Sequence, residues 1–306
     1  MTNAALPETI YSDRWVIASP LLLFFGLAYL LAWSPIPLLA WLAAEADLES
    51  WIELSRLAES GALTGHELPV PDWLIYAITR LQDFAFSLSG LLMITRLQGW
   101  QGLRALGSRL LQWRMTGSCW LLTILPLALY LSATVTSNAL DSFQWSPGHL
   151  WRALFSIEAG LLVTLLLRGP MGEELGLRGF ALPYLQTFTT PFRASLVIGF
   201  FWASWHLPVL LDQDPVSVII FLVAAFLLSF IFTWLFNNSG GSLVGVLFFH
   251  AFQNNEEMFE VFFLALSGTD WETLPTLGLL AVGTGFAIVL WRNNSRSSVQ
   301  LAQHVT

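Results

Sequence analysis

The chain has 306 residues, 55% of them hydrophobic and 11% charged, and a mean hydropathy of +0.64. A soluble domain carries about 25% charged residues, so the composition excludes an ordinary water-soluble enzyme and points to a polytopic membrane protein. A formal net charge of −8, with no basic stripe, excludes a nucleic-acid binder.

A membrane span needs about 20 mostly apolar residues. On that rule eight spans are expected: 15–42, 73–95, 115–135, 151–170, 194–211, 216–236, 241–265 and 274–291. The first invites a break at Pro35 and Pro37, because proline removes a helix donor and clashes with the preceding turn. The residues before it include Glu8, Asp13 and Arg14 rather than the basic start of a signal peptide, so the first run is expected to stay as an anchor. Trp and Phe, at 15 and 23 residues, suit a lipid-facing surface with interfacial aromatic belts. Cys119 is the single cysteine, which rules out an intrachain disulfide. There is no internal repeat and no low-complexity linker. The expected fold is all-α: one integral membrane helix bundle over 1–306, with a motif-bearing core at 165–260 and a polar intramembrane catalytic cavity.

Orientation follows from the arginines. The 96–114 segment holds Arg96, Arg104, Arg109 and Arg114 without an acid, so the positive-inside rule makes it cytoplasmic. Alternation then puts both termini inside, together with Arg168, Arg178, Arg193, Arg292 and Arg296. The outward loops are acidic: Glu45, Asp47, Glu49, Glu53 and Glu59, then Asp212 and Asp214, then Asp270 and Glu272. In 96–114, Leu103, Leu106, Leu110 and Trp113 recur at helical spacing opposite the arginines, as in a helix lying on anionic lipid; a substrate gate is the other reading. The acidic 45–60 segment reads as a solvated extracytoplasmic helix.

Ionisable residues within apolar segments are the functional signal, since charge there is costly. In "GPMGEELGLRGF", Glu174 and Arg178 are i,i+4 neighbours and can pair, while Glu173 lies about 100° round the helix, free to face a cavity. "FWASWHLP" holds His206, and "FFHAFQNNEE" puts His250 and Asn254 at i,i+4. Each has a structural reading as interhelical glue. Arg80 with Asp83 reads as an ion pair between helices, and Glu158 has no evident partner. One arginine cannot neutralise two adjacent carboxylates, however, and three polar clusters in neighbouring segments suggest one shared site. A carboxylate away from bulk water can take a proton from water and return it to a leaving amine. His and Asn can donate to a developing oxyanion. The set describes peptide-bond hydrolysis by activated water. No G-x-S-x-G elbow is present. Two His and two Glu could ligate zinc, but there is no H-E-x-x-H and an adjacent Glu pair does not readily share one ion. No cofactor is expected, and the metal reading stays open.

These residues resemble the motifs of the CAAX protease and bacteriocin-processing (CPBP, or Abi) family of intramembrane glutamic endopeptidases. Glu173, Glu174 and Arg178 match its E-E-x-x-x-R motif, and His250 with Asn254 matches H-x-x-x-N. Trp202 to His206 is similar to F-x-x-x-H, with Trp202 in place of Phe. Leu177 stands where an aromatic residue often precedes Arg-Gly. The motifs come in family order over roughly 165–260. The resemblance implies that Glu173 activates the water with help from Glu174, and that His206 orients it. It also implies that His250 and Asn254 stabilise the oxyanion and that Arg178 holds the acidic pair. The Trp202 and Leu177 departures are expected to concern packing rather than chemistry. The substrate implied is a membrane-associated protein or peptide in the lipid bilayer, and the setting a bacterial or archaeal cytoplasmic membrane.

For the motifs to meet, 171–188 must dip into the bundle after Gly169-Pro170, bringing Glu173 within about 12 Å of His206, a helix diameter. The cavity is expected to open to the cytoplasm. A non-catalytic scaffold or chaperone of the same fold is the alternative, and a proton-coupled transporter using Asp83, Glu158 and Glu173 is a third reading. Glu256, Glu257 and Glu260 are expected at the outer rim of the seventh span. Oligomeric state is not legible.

Overall fold

A computed structural model describes residues 14–63, 68–140, 161–254, 282–290 and 292. Every regular element among the described residues is helical. Helix α1 (Arg14–Trp33) is followed by α2 (Ile36–Glu45), and the break at Ser34-Pro35 falls where the prolines predict it. A short α3 (Trp51–Ser60) starts at Ser50, whose hydroxyl accepts from the Glu53 amide, and stops at Gly61, which takes φ 70°. That is a helix whose start and stop are both written locally. The predicted second span is two helices, α4 (Asp72–Asp83) and α5 (Ala85–Leu110), parted at Phe84. Within α5, Gly99 has φ 60° and ψ −148°. This conformation suits glycine, and it sets the arginine-rich segment at an angle to the rest. Helix α6 is Gly117–Leu140.

Residues 161–167 are helical, and Arg168, at φ −122° and ψ −158°, ends that run. A new run begins at once: α7 (Gly169–Gly176), a π-helical turn (Leu177–Ala181) and α8 (Leu182–Gln186). Glu173 and Glu174 therefore lie near the start of a fresh helix, not at the end of the predicted fourth span. Then come α9 (Pro191–Trp205), a 3-10 turn (Leu207–Leu210), α10 (Pro215–Asn238) and α11 (Leu243–Gln253). Half of the fourth and of the eighth span, the later part of the seventh, both termini and Glu158, Glu256, Glu257 and Glu260 lie outside the described residues.

Among the described residues two runs are long and apolar enough to cross a membrane, Ser19–Glu45 and Pro215–Asn238. Only 22% and 39% of their most apolar windows are buried. Most of that apolar surface faces outward, which is consistent with helices embedded in a membrane rather than buried in a soluble core.

Two cores organise the rest. The larger joins α1, α5, the motif run and α9–α11 through Phe24, Phe86, Phe180, Ile198, Phe232 and Val246. The smaller binds α2, α3 and α4 through Leu39, Leu42, Leu54, Ala58 and Ile75. Helices α5 and α7 approach backbone to backbone: a Cβ added at Gly90 would lie 2.6 Å from Gly176 Cα, and one at Gly172 would strike the Asp83 carbonyl. Small residues permit that approach, and Ser87 reinforces it by donating to the Met171 carbonyl at 2.7 Å.

The run from α7 to α8 starts at the end of the bundle where α9 and α11 finish. At one end Arg109 donates to the Gly179 carbonyl at 3.2 Å, and Gln112 donates to Ser239 at 2.9 Å. At the other end Trp33 donates to the Trp205 carbonyl at 3.1 Å, and Glu59 meets Arg168 at 3.5 Å. Arg168 thus sits with the acidic 45–60 segment, not with 96–114 as alternation of spans predicts. Arg178 is fully buried, so it marks neither side.

Candidate active site

Glu173 and Glu174 are adjacent on α7, so their side chains diverge by about 100°. Both are buried, and their surroundings differ. Glu174 accepts two bonds from Arg178 Nη1, at 2.8 and 3.0 Å, and Oε1 also accepts from His250 Nδ1 at 2.8 Å. It is fully consumed by positioning. The Arg178 guanidinium is packed between aromatic faces, 5.0 Å from the Trp202 ring centre and 4.3 Å from that of Phe232. Cation–π attraction offsets part of the cost of burying it. Its Nε and Nη2 have no hydrogen-bond partner among the described residues. The π-helical turn that carries Arg178 is a departure from regular helix that recurs at functional sites.

Glu173 turns the other way. Its Oε2 accepts the indole N–H of Trp202, and its Oε1 is turned toward Gly169. A Cβ placed on Gly169 would lie 2.8 Å from Glu173 Oε1, 3.2 Å from Asn254 Nδ2 and 3.3 Å from His250 Nε2. Three polar groups from two helices therefore converge on one small space, open because residue 169 has no side chain. His206 donates from Nδ1 to the Trp202 carbonyl at 2.8 Å. In the neutral ring that leaves Nε2 as an acceptor. The Trp202 and His206 ring centres are 5.9 Å apart, so Glu173 and His206, both contacting Trp202, stand within the predicted helix diameter.

A cavity of about 370 Å³ includes Glu173, His206, Asn254 and Gly169 in its lining. Its other walls come from Trp33 at the end of α1, Ile52, Ser55 and Glu59 on α3, Gln82 and Asp83 on α4, and Val209 beyond α9. The acidic 45–60 segment is thus a wall of the site rather than a solvated helix. No residue of 96–114 lines the cavity. The expected cytoplasmic opening does not survive beside the arginine assignment, because the cavity lies at the opposite end from Arg109 and Gln112.

The structure brings together Glu173, Glu174, Arg178, His206, His250 and Asn254, with two changes of part. Glu174 and His250 are both absent from the cavity lining, and Glu174 reaches the space at Gly169 through its contact with His250. Trp202 is not merely packing, because its N–H holds one oxygen of Glu173. The signal for Trp202 was legible: a buried tryptophan one turn before His206 needs a partner for its N–H. Gly169 carries no sequence signal beyond preceding Pro170. Arg80 pairs with Asp83 within α4 at 2.9 Å, and it also reaches Glu59 and the Leu167 carbonyl. Among the described residues no group of three or more His, Cys, Asp or Glu is placed to hold a metal ion.

Residues 155–255 match the family described as type II CAAX prenyl endopeptidase, Rce1-like. That range spans all three motifs. Residues 155–255 are thus similar to the CAAX protease family. A curated relative, CAAX prenyl protease 2 of Methanococcus maripaludis, is 27% identical over 152 residues, 45% of this chain and 55% of the relative. The match thus spans about half the length of that relative.

Proposed function

We propose that the chain is an intramembrane endopeptidase, an eight-span bundle that hydrolyses a peptide bond of a membrane-associated protein or peptide with Glu173-activated water. The observation that carries the reading is the convergence of Glu173 Oε1, His250 Nε2 and Asn254 Nδ2 on the space at Gly169. A water molecule there gives a proton to Glu173 Oε1, and its oxygen attacks the scissile carbonyl carbon. The Trp202 N–H keeps Oε2 occupied, so Oε1 is the basic oxygen. His206 Nε2 accepts the second hydrogen of the water and aims a lone pair at the carbonyl. As the C–O bond forms, charge moves to the carbonyl oxygen, where Asn254 Nδ2 donates. His250, its Nδ1 held by Glu174, presents Nε2 to the same space. Glu173 then returns the proton to the amide nitrogen, the C–N bond breaks, and an amine leaves together with a carboxylic acid, which loses its remaining proton to water.

Both termini are assigned to the cytoplasmic side with 96–114, and the cavity to the opposite face. The test compares protein termini in membranes from a deletion strain carrying either the wild type or Glu173→Gln. A new terminus present only with the wild type supports the reading and names the substrate. Identical termini, with the variant restoring whatever the deletion disturbs, would replace it by a non-catalytic scaffold of the same fold.

A further inference from the structure

Glu59 is the penultimate residue of α3, and the proposed reaction gives it no part. Its carboxylate nevertheless joins three separate stretches of chain. Oε1 takes Arg80 of α4, and Oε2 lies 3.5 Å from Arg168. Arg80 is in turn bonded to Asp83 at 2.9 Å and donates to the carbonyl of Leu167. The target of both arginines is therefore the corner 167–169, where one helical run ends and α7 begins. Gly169, the last residue of that corner, is the one around which Glu173, His250 and Asn254 converge. The face of α3 that carries Ile52, Ser55 and Glu59 also forms a wall of the cavity. The opposite face, with Leu54 and Ala58, is buried against α2 and α4.

The groups are half-open to water, with side-chain exposures of 24% for Glu59, 14% for Arg80 and 39% for Arg168. Ion pairs of that kind add little to global stability. Their leverage is geometric, because a shift of the corner is delivered straight to reacting groups, whose placement matters at the ångström scale.

We propose that Glu59 is a positioning residue: bridging Arg80 and Arg168, it clamps α3 onto the 167–169 corner and so fixes the spacing of Glu173, His250 and Asn254 around Gly169. The role rests on the peptidase reading for its effect on turnover, but the clamp itself can be measured without proteolysis.

The test places one thiol reporter at the cavity wall, Ser55→Cys in a Cys119→Ser background, in full-length protein in lipid vesicles, with iodoacetamide as the probe. Glu59→Gln is expected to speed labelling about tenfold by releasing α3. In the protein with the native Ser55 and Cys119, it is expected to lower kcat about 10- to 100-fold with KM within about twofold. Glu59→Asp keeps the charge and recovers most of both. A labelling rate unchanged by Glu59→Gln overturns the clamp, whatever happens to kcat. An unchanged kcat per folded molecule, even with less protein in the membrane, overturns the positioning role and leaves an ordinary structural ion pair. A wild type that cleaves nothing while Glu59→Gln still speeds labelling removes the peptidase reading and supports the clamp.

Discussion

Gly169→Ala separates the site's geometry from the fold's stability more cleanly than removing a catalytic side chain. The new methyl carbon would stand 2.8 Å from Glu173 Oε1, 3.2 Å from Asn254 Nδ2 and 3.3 Å from His250 Nε2. Unbonded heavy atoms settle at about 3.5 Å, so Oε1 must retreat by roughly 0.7 Å and the two nitrogens by roughly 0.2–0.3 Å. The methyl also fills the space assigned to the attacking water. Misplacement of this order in a reacting constellation costs about 100-fold in rate, equivalent to about 2.7 kcal/mol of barrier. The fold pays little, because residue 169 opens α7 and alanine is the better helix former by up to about 1 kcal/mol. The expected outcome is a kcat reduced about 100-fold or more beside a thermal midpoint in detergent that is unchanged or slightly raised. Single-turnover cleavage of the substrate identified from membrane termini, read beside thermal unfolding of the same preparation, measures both. A Gly169→Ala enzyme with wild-type kcat would refute the claim that the reaction happens where these three atoms meet.

Trp202→Phe restores the residue usual in related motifs and keeps a ring over Arg178, but it deletes the N–H that holds Glu173 Oε2. Kcat should fall about tenfold, with the protein still folded, because a neutral donor to a carboxylate is worth about 1.5 kcal/mol or more. Undiminished turnover would return Trp202 to a packing role. Glu174→Gln leaves the buried Arg178 guanidinium without its counter-charge, and breaking a buried pair costs about 3–5 kcal/mol. Loss of folded protein should therefore dominate, and a stable but inactive Glu174→Gln variant would instead make Glu174 a catalytic group. Outside the membrane, Asp214 caps α10: the Ser217 hydroxyl, then backbone amides of Ser217 and Val216, hold its carboxyl below the usual carboxylate range. A depressed folded-state pKa gives stability that is complete above the ordinary carboxylate range and lost as pH falls through the lower value. Asp214→Asn should therefore flatten the acid side of the thermal midpoint against pH, and parallel profiles would contradict the cap.

How much of this was legible in the sequence depended on whether the cause was local. The break at Ser34-Pro35 and the start of α3 at Ser50 are written in one turn of chain, and so is the pairing of Glu174 with Arg178. The break at Phe84 has no proline or glycine to announce it. It occurs where α4 gives way to α5, beside the point where the Asp83 carbonyl presses on Gly172 across the bundle. The reading of 45–60 as a solvated helix failed for a similar reason. Periodicity separates the Leu54 and Ala58 face from its opposite, but only the tertiary fold reveals that the polar face looks into a cavity. Arg168 misled the side assignment because one helical run ends there and a new one begins at Gly169.

The two adjacent glutamates make the point most sharply. Sequence reasoning pairs Glu174 with Arg178 and leaves Glu173, about 100° round the helix, free to face a cavity. The structure has that separation. One residue's rotation sends Glu174 into a buried chain with Arg178 and His250, joined across 76 residues of sequence, where both its oxygens are engaged. The same rotation sends Glu173 toward the cavity with one oxygen tied to Trp202 and the other free. A base needs an oxygen that is held but not consumed, and a histidine such as His250 needs its far nitrogen held to fix the ring. Adjacent positions on a helix supply both conditions from one turn of backbone. Exchanging the order of surroundings, by moving Arg178 or Trp202 to the other carboxylate, would leave the motif's composition intact and its chemistry without a base.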